Sequence, residues 1–173
     1  MNLVPRSIPF LLLLIATVTL TISQRAEAQD VMPRFGIGFN SLLSSADGFG
    51  IGFRGRASAP VNRDVSVAID LGFTGFVLNG RRNADYVFDP QLSAIISLPY
   101  RTDRLAYILF GLGGYVPVGR TAANEQNGPT IHIGIGWVHA LNETSLFYEI
   151  DPALIIGEES VDIAIPLRIG LIF

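Results

Sequence analysis

The last thirteen residues, Val161 to Phe173, constrain the fold more than any other stretch of the chain. Odd positions read Val161, Ile163, Ile165, Leu167, Ile169, Leu171 and Phe173, all large and apolar. Even positions read Asp162, Ala164, Pro166, Arg168, Gly170 and Ile172, which are small, polar or charged with one exception. A period of two held over this length predicts a β-strand with one face against an apolar phase. A helix would instead repeat its apolar residues every three to four positions.

The first 28 residues are set apart from the fold. Arg6 gives a positive start, Phe10 to Ile22 is an apolar run of thirteen, and Ala26-Glu27-Ala28 is a small-x-small cleavage site. These are the parts of a secretory signal peptide over 1–28, which leaves 29–173 as one domain. The run is shorter than the roughly 20 residues of a spanning helix. Without Arg6, Arg25 and Glu27, the twelve basic and fifteen acidic side chains become ten and fourteen, a net charge of −4. That balance gives no footprint for nucleic acid. Cysteine is absent, which excludes a disulfide framework and thiolate chemistry.

Seven further alternating segments precede the last one, each bounded by turn residues. They run from about Arg34 to Leu42, Phe49 to Ala59, Val65 to Phe76, Tyr86 to Leu98, Arg104 to Val118, Thr130 to Leu141 and Ser145 to Ile156. The fifth is apolar on both faces, so its register is open between Leu105/Tyr107/Leu109 and Ala106/Ile108/Phe110/Leu112 facing out. Glycines at 111, 113 and 114 favour the second arrangement, since small residues suit a crowded interior. Eight strands with short turns predict an all-β fold, an eight-stranded antiparallel up-and-down transmembrane β-barrel.

Residue size decides which face points outward. The less apolar face is mostly Gly, Ala and Ser, with isolated charges: Arg34, Arg54, Arg56, Asp70, Asp89, Glu149, Asp151, Asp162 and Arg168. A water-facing surface carries about 25–35% charged residues, and this face is too poor in them. The small face is therefore the lumen and the bulky face meets lipid. Phe35, Tyr100, Trp137, Tyr148 and Phe173 then form an inner aromatic girdle. Phe49, Phe73, Phe76, Tyr86, Phe88 and Tyr115 form an outer one.

Arg54, Arg56 and Arg168 share the lumen with Asp70, Asp89, Glu149, Asp151 and Asp162. Unpaired buried charge is costly, so we expect Arg–carboxylate pairs that plug the lumen, with Asp151 or Glu149 as partner of Arg168. A polar track for ions is the alternative. Gly50-Ile51-Gly52-Phe53-Arg54-Gly55 matches a dinucleotide fingerprint on paper but lacks the helix that would receive a pyrophosphate. His132 and His139 lie on opposite faces and cannot share a metal ion.

The closing alternation and its terminal Phe173 resemble the last strand of bacterial outer-membrane β-barrels, whose terminal Phe is read by the assembly machinery. From about residue 31 onward the chain resembles the small barrels of the OmpA/OmpX type. That resemblance implies export through the Sec pathway, residence in the outer membrane among lipid and lipopolysaccharide, and a monomer. It implies no cofactor and a structural or surface-interaction role without enzymatic activity. A narrow pore or hydrophobic conduit is the alternative. Lipid A deacylases share the architecture and carry a lipid-facing His with a Ser two positions later. Here Gly134 and Leu141 occupy those places, so the nucleophile is missing.

Overall fold

The computed structural model describes residues 32–80, 84–98, 104–119, 127–157 and 160–173. The segment 1–28 read as a signal peptide, Tyr100 and parts of the loops at 79–85, 119–129 and 157–160 lie outside or partly outside these residues. Nine strands are formed: β1 (Arg34–Ser44), β2 (Gly48–Pro60), β3 (Val65–Asn79), β4 (Tyr86–Ser97), β5 (Arg104–Val118), β6 (Gly128–Ala140), β7 (Ser145–Ile150), β8 (Ala153–Ile156) and β9 (Val161–Ile172). All pair antiparallel with their neighbours. β7 and β8 lie end to end between β6 and β9, and β9 returns to pair with β1. The result is a closed barrel of eight staves with no free sheet edge.

The seventh stave departs from the continuous segment expected at Ser145 to Ile156. It breaks at Asp151-Pro152 because Pro152 has no N–H to give the ladder. The freed backbone is still used: Ile133 N–H donates to Pro152 O at 3.1 Å, and Asp151 N–H donates to Pro166 O at 3.3 Å. A second irregularity, between Phe49 and Gly50, shifts the β2–β3 register near one end.

Alternation is obeyed along every stave. Outward Ile133 is 63% exposed and Leu167 53%, whereas inward Asp70 is 0% and Arg168 3%. The fifth strand takes the arrangement its glycines favoured. Phe110 and Leu112 stand outside while Tyr107 and Leu109 are buried in the lumen. Two aromatics assigned to the outer girdle are not on the outer wall. Tyr115 is buried in the lumen, and Phe76 packs against the same interior cluster. Both carry even-face or glycine-strand parity, and the alternation overrides the general preference of aromatics for the wall.

One end of the barrel holds the start of β1 and the end of β9. There Phe173 N–H donates to Phe35 O at 2.8 Å, closing the β1–β9 seam. The β2–β3 turn at this end is fixed by Asn62, whose Oδ1 accepts from Asp64 N–H at 2.9 Å and Val65 N–H at 2.8 Å. At the opposite end the β1–β2 turn folds inward, so that Ala46 and Asp47 are buried.

Candidate functional site

The lumen is layered. Its middle is a polar cluster fed by six of the eight staves. Arg56 on β2 donates from Nε to Asp70 Oδ1 on β3 at 2.8 Å, directly across the ladder. Its two terminal nitrogens reach β7 and donate to both oxygens of Glu149 at 2.9 Å each. This fork-to-fork geometry suits a guanidinium and a carboxylate. The same guanidinium lies 5.4 Å from the ring centroid of Phe147.

Glu149 is the hub. Besides Arg56 it accepts from Tyr107 Oη at 2.7 Å and from Arg168 Nη1 at 2.8 Å. Arg168 is its direct cross-strand neighbour. The same Nη1 also donates to Asp151 Oδ2 at 2.8 Å, so both carboxylates considered for Arg168 are bound to it. Gln91 joins two arginines, its Oε1 accepting from Arg54 and from Arg168 at 3.1 Å each. Arg54 completes the cluster by pairing with Asp89 and standing 3.9 Å from Asp70.

Several of these contacts skip a strand, and glycine makes that possible. Arg54 on β2 and Asp89 on β4 both face Gly72 of the intervening β3 in register. Side chains two strands apart start from backbones about 10 Å apart, so the middle residue must leave the space free. A Cβ at Gly72 would overlap Asp89 Oδ1 and come within 2.7 Å of Arg54 Nη2. The arrangement recurs. Tyr107 reaches Glu149 over Gly136, Asn40 donates to Thr74 at 2.9 Å over Gly52, and Ser93 approaches His132 over Gly111.

Ser93, His132 and Asp151 form a row that resembles a nucleophile–base–acid chain. His132 Nδ1 faces Asp151 Oδ1 at 2.9 Å, and Ser93 Oγ lies 3.5 Å from His132 Nε2. Both Ser93 and His132 are 2% exposed. An apolar groove of about 710 Å³ passes this row on the outer wall. The ladders joining Ser93 to Gly111 and Gly111 to His132 stand between that groove and the hydroxyl. At 3.5 Å the Ser93–His132 contact is at the limit of a hydrogen bond, and both side chains are nearly fully buried. Asp151 joins the row to the polar cluster through Arg168.

Toward the end with the inward turn, an apolar layer follows: Leu42, Val87, Tyr115, Ala153, Ile155 and Ala164. The cavity left between the two layers is about 10 Å³, at most one water. Beyond it Tyr115 Oη donates to Asp47 Oδ2 at 2.7 Å. Asp162 belongs to this outer mouth. It accepts from Ser45 Oγ at 2.7 Å and from Ser160 Oγ at 3.1 Å. Of the eight charges assigned to the lumen, seven are gathered in the middle and Asp162 is six residues along β9 from Arg168, about 20 Å away. Sequence reasoning missed Gln91, Tyr107, Ser93 and Tyr115. The inward glycines were their signal, since each marks a gap that polar groups on the flanking strands can bridge.

No family model matches this chain, and no curated protein matches it in sequence. Solved structures do match it in shape. Neisserial surface protein A superposes with a TM-score of 0.63 at 16% identity, over 81% of this chain and 95% of that one. This is the fold of the small eight-stranded outer-membrane barrels. The N-terminal β-barrel domain of Pseudomonas aeruginosa OprF gives 0.53 at 17% identity, over 81% and 97%. Ail, the attachment invasion locus protein of Yersinia pestis, gives 0.50 at 15%, over 84% and 100%. At these identities the likeness carries the barrel architecture, while the lumen side chains are this chain's own.

Proposed function

We propose that this barrel resides in the bacterial outer membrane as a non-conducting, non-enzymatic scaffold that presents its loops at the surface. The polar cluster supports this reading most directly. Three guanidiniums and four carboxylates are knotted across the lumen and backed by an apolar layer, so a continuous water path has no room. The outer wall supports the location. Large apolar side chains stand exposed on every stave, and in water that belt would be an aggregation surface. The long strands exceed the 9–11 residues that a tilted strand needs to span hydrocarbon.

On this reading lipid and lipopolysaccharide surround the wall, and the assembly machinery reads Phe173. The closed sheet leaves no edge for pairing, which favours a monomer. The end holding Phe35 and Phe173 faces the periplasm, and the loops after β1, β3, β5 and β8 face outward. Two of the similar structures are described as a surface protein and an attachment invasion locus protein, and a surface-interaction role for these loops follows that pattern.

Planar-bilayer recording of the purified barrel tests the plug. We expect no stepwise current under an applied potential. Steady open-channel current would overturn the plug and support the narrow-pore reading instead.

A further inference from the structure

We propose that the periplasmic mouth of the lumen binds a small oxyanion carried on an apolar body, such as an organic phosphate or carboxylate. Below the polar cluster the lumen opens into a cavity of about 200 Å³. Arg34, at the start of β1, and Arg63, in the β2–β3 turn, line its rim and are exposed. Neither forms an ion pair among the described residues. Arg56 forms the floor, with its charge already committed to Asp70 and Glu149. Among the described residues no carboxylate lines the cavity.

The remaining walls divide into two kinds. Ser58, Asn62, Ser66 and Ser97 supply polar groups on the side of β2, β3 and β4, while Leu105, Val138 and Ile172 make an apolar side on β5, β6 and β9. Two uncommitted guanidiniums favour an oxyanion, for which their planar donor fork is suited. The apolar side favours a ligand with a hydrocarbon or aromatic portion. The volume is below the roughly 300–1,000 Å³ of drug-sized clefts, which limits the ligand to a small one. The turn that carries Arg63 is held by the Asn62 bonds, so the rim is preformed and little ordering is required on binding. The site lies at the mouth and does not depend on whether the lumen conducts.

The test uses the folded barrel in octyl glucoside micelles, whose neutral sugar headgroup brings no competing phosphate. Phenyl phosphate, inorganic phosphate and phenol are titrated separately while NMR follows the Arg34 and Arg63 side-chain N–H groups and the Ser58 and Ser97 amides. We expect saturable shifts with phenyl phosphate, weaker binding of inorganic phosphate and no saturation with phenol. The double variant Arg34→Gln, Arg63→Gln should bind phenyl phosphate about tenfold more weakly or worse, which is about 1.4 kcal/mol or more. Its heat-modifiable gel migration, a check on barrel folding, should be unchanged. Absence of saturation with phenyl phosphate, phenol binding as tightly, or a correctly folded double variant binding like wild type would each overturn the proposal.

Discussion

Arg56 and Glu149 sit three staves apart and meet through two parallel hydrogen bonds of 2.9 Å. Neither residue neighbours the other in sequence or in the sheet, yet this pair ties β2 to β7 through the lumen. Arg168, on β9, one of the two staves between them, shares Glu149, so the three side chains form one electrostatic unit. Breaking a buried pair leaves an uncompensated charge, whose cost exceeds the gain the intact pair provides.

Loss of Arg168 therefore takes a guanidinium from two carboxylates: Glu149 keeps Arg56, whereas Asp151 is left with His132 alone. We expect Arg168→Met to destabilise the folded barrel by roughly 3–5 kcal/mol in a urea titration. Adding Glu149→Gln should recover only part of that loss, because Asp151 still lacks a guanidinium and Arg56 loses its paired carboxylate. A double-mutant cycle should give a coupling of about 0.5–3 kcal/mol. A coupling near zero would mean that the two side chains do not interact in solution.

Glycine spacing gives a sharper test, because it separates volume from charge. Gly72→Ala removes no polar group but pushes between Arg54 and Asp89. A cost of about 1–3 kcal/mol is expected for overpacking there. Gly55, on the same sheet, has nothing within 4 Å of a built Cβ. Gly55→Ala should be neutral or slightly stabilising in the same titration. Similar costs at both positions would refute the bridging role of Gly72.

Sidedness can be read at two positions of opposite parity on β9. Leu167 is on the exposed wall, and Leu167→Arg should cost about 2–4 kcal/mol in lipid vesicles if it lies near the bilayer midplane. Ala164 faces inward and is buried. Its surroundings are the apolar layer. Ala164→Ser should therefore cost about 1–3 kcal/mol, since the hydroxyl gains no evident partner. Tolerance of Leu167→Arg without loss of stability would count against the inside-out assignment.

Phe173 is exposed at the end of the barrel, and only its backbone is tied to Phe35. Deleting it should leave unassisted refolding of the purified barrel nearly unchanged while lowering its yield in the outer membrane of cells. The comparison uses heat-modifiable bands from both preparations. Normal cellular yield of the truncated chain would exclude a role for Phe173 as an assembly signal.

Much of the architecture was already written in local pattern. A period of two fixes which side chains share a face, and it does so without knowledge of any neighbour. From it the eight staves, the two faces and the inward charges could all be read, including Arg54, Arg56 and Glu149. Residue size then chose the outward face, because a lumen of eight staves has no room for the bulky set. The break at Pro152 was written there too, as a missing donor, though the alternation around it concealed the interruption.

Partner choice was decided only by the closed structure. Which residues meet depends on the stagger between staves, and a one-residue slip would exchange the two faces of a strand. Tertiary geometry thus gave Arg168 both of its carboxylates, carried Asp162 away to the outer mouth and brought Tyr115 inside. The strand-skipping contacts lie further still from local pattern. Arg54 reaches Asp89 because Gly72 falls between them in register, and that register exists only once three strands are paired.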